Sequence, residues 1–176
     1  MNGKTHKIGG VCSGLVASTL MFSNTFGVEG IISSALIISG STIGSLAPDI
    51  DHPTSTVGRK FILKPISIFI NKVFGHRTIT HSVVMSIFMT LILLSSTLLF
   101  TGVPNFIYTN LVIGFCVGWF SHLLLDLLTV KGIPVFYPFI KKKYNLLKFR
   151  TDRDEEFVSM LILLVTGISM VIYFRS

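Results

Sequence analysis

Residues 28–47 read VEGIISSALIISGSTIGSLA and run directly into Pro48-Asp49-Ile50-Asp51-His52. The first part is apolar or small throughout apart from Glu29. As a helix, it is long enough to cross a hydrocarbon core of about 30 Å. Pro48 closes it, because proline cannot continue the helical hydrogen-bond ladder. Two aspartates and a histidine follow within four residues. Hard anionic oxygens beside an imidazole nitrogen are the donors that a divalent cation takes. The stretch therefore joins a membrane helix to a polar cluster at its end.

Further along stands His76-Arg77-Thr78-Ile79-Thr80-His81-Ser82, so the interval 48–82 holds three of the five histidines of the chain. Between the two clusters, residues 59–74 mix lysines with bulky apolar residues, the composition of a segment lying in the membrane interface. Four more apolar runs flank this region: Ile8 to about Phe26, Val83 to about Val103, Phe106 to Leu125 and Phe157 to Phe174. The first follows a basic leader containing Lys4 and Lys7, which also suits a signal peptide. No Ala-x-Ala cleavage site follows and four further runs do, so it reads as a retained helix. Pro104-Asn105 reads as a tight turn between runs three and four. Residues 132–149 carry Pro134 and Pro138 and then four lysines, and read as a stiff, non-helical apolar loop near the membrane surface.

The composition agrees. The 176 residues are 50% hydrophobic and 13% charged, with a mean hydropathy of +0.73, whereas soluble domains carry about 25% charged residues. The expected fold is all-α: a single domain, residues 1–176, forming a polytopic membrane bundle of about five transmembrane helices with an interfacial helix. Cys12 and Cys116 lie inside apolar runs without metal-type spacing and read as small buried hydrophobes. The net charge of +7 does not imply nucleic acid, because the basic residues sort by membrane side. With five alternating spans, the side of the N-terminus receives Lys4 and Lys7, five basic residues between 48 and 82, and seven between 126 and 156. Only Arg175 falls on the other side. The positive-inside rule makes the first side cytoplasmic, in a multi-pass protein of the cell membrane.

The same topology gathers the donors. His6 precedes run one, Asp49, Asp51 and His52 follow run two, and His76 and His81 precede run three. His122 and Asp126 end run four, and Glu155 and Glu156 open run five. All fall at the cytoplasmic ends. His122 and Asp126 are four apart and share a helix face. Gly114 and Gly118 lie on the same line, and small residues there let another helix pack closely. Gly10/Gly14 and Gly40/Gly44 repeat the spacing. Thr80 reads as a candidate N-cap for run three. Each element also has a plainer reading: interfacial histidines snorkel, an i, i+4 His–Asp pair is a hydrogen bond, and Arg77 is a topology charge. The convergence of the whole set on one face favours a metal site.

Thr5-His6, Pro48-Asp49-x-Asp51-His52, His76-Arg77-x-x-Thr80-His81-Ser82, and His122-x-x-x-Asp126 followed by Gly132 and Pro138 together resemble the YdjM-like family, over nearly the whole chain. The resemblance implies a membrane-bound, metal-dependent hydrolase, distantly similar to zinc-dependent phospholipases C and single-strand nucleases. It implies His6, Asp49, Asp51, His52, His76, His81, His122 and Asp126 as the metal and catalytic set, with Glu156 as a further ligand. Eight or nine ligands exceed the four that one zinc takes, so the expectation is a divalent metal, zinc by preference, with room for two or more ions. Asp51 is then the preferred general base, and Arg77 stabilises negative charge on a phosphoryl group. The expected substrate is a phosphoester of a lipid or other amphiphile, with membrane lipids as partners, no nucleic acid, and the apolar loop at 134–138 available to a lipid tail. The alternative is a non-catalytic metal-binding membrane module, a sensor or assembly factor. Transporters place polar residues near the bilayer midplane, whereas the middles of these runs carry only Ser, Thr and Gly.

Overall fold

The glycine spacings set the architecture. In the computed structural model, which describes residues 1–22, 27–151 and 153–175, α2 (Val28–Gly44) packs most closely against α5 (Gly102–Leu127). A Cβ at Gly40 or Gly44 would fall on the backbone of Leu111 or Phe115, and one at Gly114 or Gly118 on that of Ile37 or Ser41. The two helices thus touch backbone to backbone through reciprocal glycine pairs. α1 (Gly3–Phe22) joins them through Gly10 and Gly14, which face Ser41, Ser45 and Ile38. Serines complete the seam: Ser41 Oγ donates to the Gly10 carbonyl at 2.7 Å and pairs with Ser13 Oγ at 3.1 Å. Such interhelical bonds in membrane bundles contribute about 0.6 kcal/mol each.

α4 (Val83–Ser96) lies on α5, and α6 (Glu155–Arg175) leans on α1. The large apolar side chains point outward: Leu91, Ile92, Leu98, Leu163, Leu164 and Ile172 are all exposed. Small residues inside and bulky ones outside are what lipid as solvent favours. No strand forms among the described residues, and the backbone pairing is limited to two isolated bridges, Thr129 with Phe149 and Ile133 with Tyr144. Among the described residues, three helices are long and apolar enough to cross a membrane: α2 with its 3-10 extension to Asp51, α5 and α6. The expected end of run one, at Phe26, lies outside the described residues.

Two boundaries differ from the sequence reading. Run three does not continue to Val103. α4 ends at Ser96 and a 3-10 turn covers Thr97–Leu99. Ser96 Oγ and Thr97 Oγ1 donate back to the carbonyls of Leu93 and Leu94 at 2.6 and 2.7 Å, competing with the main-chain ladder. Pro104 is not in a turn either. It is the third residue of α5, where its missing N–H goes unused. Between α2 and α4 the chain forms a 3-10 turn at Ala47–Asp51, then α3 (Lys64–Phe74), then a second 3-10 turn at Ile79–His81. Asn71 Nδ2 donates to the Asp51 carbonyl at 2.7 Å and fastens α3 to the first turn. The loop at 132–149 is non-helical, as read. Its Val135 carbonyl accepts from the N–H groups of Val83 and Val84, at 3.1 and 3.3 Å, at the start of α4.

Candidate metal centre

Four segments bring side chains to one point at the shared end of α1, α2 and α5. The glycine seam fixes the rotation of α5 and turns its last-turn residues His122 and Asp126 toward the end of α2. There His122 Nδ1 donates to the Ser45 carbonyl at 2.7 Å, which leaves the Nε2 lone pair free. His81 arrives from the second 3-10 turn. Its Nδ1 lies 3.2 Å from Asp51 Oδ2 and 3.0 Å from Thr80 Oγ1. An ionised carboxylate only accepts, so this nitrogen carries a proton and His81 Nε2 also faces inward. Both second-nitrogen partners match the arrangement that orients metal-binding imidazoles.

The two Nε2 atoms stand 3.1 Å apart. Asp126 Oδ2 is 3.4 Å from that of His81 and 3.7 Å from that of His122, and Asp49 Oδ1 is 3.9 Å from both. Ligands at about 2.0–2.1 Å around a tetrahedral zinc are separated by about 3.3 Å. These five separations, which take Asp126 and Asp49 each against the histidine pair, are near that spacing. His6 flanks them, its ring stacked on His122 with centroids 3.6 Å apart and its Nε2 3.4 Å from Asp126 Oδ1. His6, His122 and Asp126 form one three-ligand cluster, and Asp49, His81 and His122 another. His122 is common to both but has one nitrogen left to give.

Several of these atoms have no hydrogen bond. Asp126 Oδ2 and both ring nitrogens of His6 are buried without a partner, and each buried orphan costs about 1–3 kcal/mol. Asp126 Oδ1, by contrast, receives Arg77 Nη2 at 2.9 Å and the Met1 amino group at 2.5 Å. Burial alone would push the His81 imidazole down. The hydrogen-bonded, charged carboxylates of Asp126 and Asp51 outweigh it, and its pKa lies above the ordinary 6.5. A proton on His81 Nε2 can serve one neighbour at a time, whereas a cation beside it would serve three ligand atoms at once, as in the Asp49, His81 and His122 cluster.

Asp51 sits behind His81. Its carboxylate accepts from His76 Nδ1 at 2.8 Å, the Arg77 N–H at 2.9 Å, Thr80 Oγ1 at 2.8 Å and His81. The Arg77 backbone adopts a left-handed φ of 56°, which lets its N–H and side chain serve two different aspartates. Thr80 is not the N-cap of α4. Ser82 is, accepting from Met85 N at 3.4 Å, while Thr80 is taken up by Asp51. His52 stands edge-on to His76, with centroids 4.6 Å apart, and its Nδ1 pairs with Thr54 Oγ1 at 2.9 Å. Asp49, with 17% of its side chain exposed, and His76, with 36%, form the open side. Glu156 joins neither three-ligand cluster. It lies exposed at the start of α6, next to Glu155, which instead clasps Asn2 through two hydrogen bonds. The Ser45 carbonyl and Thr129, which shares a 3.5 Å contact with Arg77 Nη1, had no signal in the sequence.

No solved structure matches the chain. It is similar to the uncharacterized protein YvsG of Bacillus subtilis, 37% identical over 138 residues that make up 78% of this chain and 74% of that protein. It is also similar to the inner membrane protein YdjM of Escherichia coli, 37% identical over 106 residues, 58% of this chain and about half (49%) of that protein's length. The sequence model of the family described as YdjM inner membrane protein matches residues 1–175. With apolar helices around a buried cluster of histidines and aspartates, and a family match over almost its whole length, the chain belongs to the YdjM inner membrane protein family.

Proposed function

We propose that this chain is a membrane-embedded, metal-dependent hydrolase acting on a phosphoester of a lipid or other amphiphile at the cytoplasmic face. The observation that carries the reading is the approach of Asp126 Oδ2 and of Asp49 Oδ1, each within 3.4–3.9 Å, to the paired Nε2 atoms of His81 and His122, together with the orphaned buried atoms of His6 and Asp126. These residues suit a divalent cation, zinc by preference, and His6 offers a ligand for a second ion. A divalent cation in such a site lowers the pKa of a water and neutralises charge on a phosphoryl group.

The chain's own residues supply the rest. Asp51, already accepting four hydrogen bonds, acts through its neighbours: it holds His81 in the ligating tautomer and presents the outer nitrogen of His76 at the open side. A histidine oriented by a buried carboxylate is a suitable proton acceptor at neutral pH. Arg77 steadies Asp126 and keeps a buried Nε without a partner, the donor we assign to a substrate oxygen. The topology belongs to the same proposal: α1 and α4 accompany the three longer helices to give five spans, α3 lies in the interface, and the asymmetry of the basic residues supports a cytoplasmic site.

Hydrolysis of phosphodiester and lipid-ester substrates by detergent-purified protein, with and without chelator, tests this reading. Activity lost on chelation and in His81→Ala and Asp126→Asn supports it, and activity unchanged in both variants overturns it. A second reading, a metal-binding module without catalysis, is favoured by one observation: His6, His81, His122 and Asp126 are fully buried, as in closed structural sites. It predicts stoichiometric metal and no turnover.

A further inference from the structure

Beside the open edge of the site lies a slot of about 230 Å³, lined by Ile70 and Phe74 of α3, Ile79 and Thr80 of the second 3-10 turn, Met85 and Met89 of α4, and Trp119 of α5. Its one polar side chain, Thr80, is already engaged with Asp51 and His81, and the Trp119 Nε1 donates to the Thr80 carbonyl at 3.2 Å. The slot therefore offers an incoming molecule only apolar surface, with Met85 and Met89 as adaptable walls.

Two features identify the occupant. Thr80 is shared: it lines the slot and hydrogen-bonds the aspartate that orients both His81 and His76. Thr80 thus joins the slot to Asp51 and, through it, to His76 on the exposed edge of the site. The slot is also walled by α3 and α4, whose outer faces expose Ile66, Phe69, Val73, Ile87 and Phe88. Such faces lie against lipid, so what reaches the slot comes from the bilayer.

We propose that this slot is the tail subsite of the enzyme: it takes one alkyl chain of a phosphorylated amphiphile and thereby sets its phosphate at the open side of the metal centre. The proposal rests on the hydrolase reading for its purpose, but its test is independent of turnover. Trp119 is the only tryptophan of the chain, so its fluorescence reports the slot alone. Full-length, zinc-loaded protein in nanodiscs of saturated phosphatidylcholine is titrated with single-chain alkyl phosphates brominated in mid-chain.

The expected result is saturable quenching, reversed by the unbrominated chain, absent with a brominated alkanol, and at least tenfold weaker in Met89→Phe, which fills the slot. Ile70→Phe fills it from the opposite wall and decides the matter if Met89→Phe fails to fold. Quenching that rises linearly with the mole fraction of brominated chain, or that is the same in both filled variants, overturns the proposal. Saturable quenching without hydrolysis sinks the hydrolase reading and keeps the slot. Hydrolysis without saturable quenching does the reverse.

Discussion

At the scale of single residues, the division between Asp126 and Asp51 decides the chemistry. Both are buried carboxylates beside His81, yet Asp126 keeps an oxygen free while Asp51 has four donors. Asp51→Asn retains shape but removes the charge behind His81 and turns one of the two acceptor oxygens into a donor. It should weaken metal binding by about 10–100-fold, as for other groups that orient metal ligands, measured by competition with a chromophoric chelator. An affinity equal to that of the unchanged protein would remove Asp51 from this role. The raised pKa of His81 gives a pH dependence with a definite sign. Its proton occupies the position that the metal takes, so binding must expel it. Affinity therefore rises with pH, by about tenfold per unit for one displaced proton, and levels off only above the folded-state pKa, which exceeds 6.5. A plateau already reached at pH 6 would contradict it. The residue types were legible in the sequence because Asp and His are rare and costly at membrane ends. Their roles were not, since whether an aspartate faces the centre or stands behind a histidine depends on the turns at 47–51 and 79–81.

At the scale of elements, the glycine seam between α2 and α5 does the positioning. Gly118→Ala would drive a methyl into the Ser41 backbone and should cost about 1–3 kcal/mol, the usual range for overpacking. Gly167→Ala on α6 meets nothing within 4 Å and should change stability by less than about 1 kcal/mol. Thermal unfolding in one detergent compares the two, and equal effects would mean that the seam is not a close contact. The four-residue glycine spacings were visible in the sequence, and so was the pairing they permit. The break at Phe100 and the entry of Pro104 into α5 were not. Serine and threonine hydroxyls that turn back on their own helix leave no mark in an apolar run, and a proline at the third helical position looks like one in a turn.

At the scale of the whole molecule, the helices form a scaffold of small interior residues that carries a buried cluster of histidines and aspartates at their shared end. α6, largely exposed and long enough to cross a membrane, meets the N-terminus through Glu155, while Glu156 stands outside both three-ligand clusters. Membrane class, an all-helical chain and the gathering of most donors at one end of the helices followed from composition and run lengths. The exact ligand set needed the packing. The account stands or falls on a cation at that cluster, so its most direct test is elemental analysis of protein purified under metal-replete conditions. It predicts at least one equivalent of divalent metal, zinc foremost, that is lost in His122→Ala and in Asp126→Asn while the helical content persists. Folded protein without a divalent ion, or variants that keep the full complement, would contradict it.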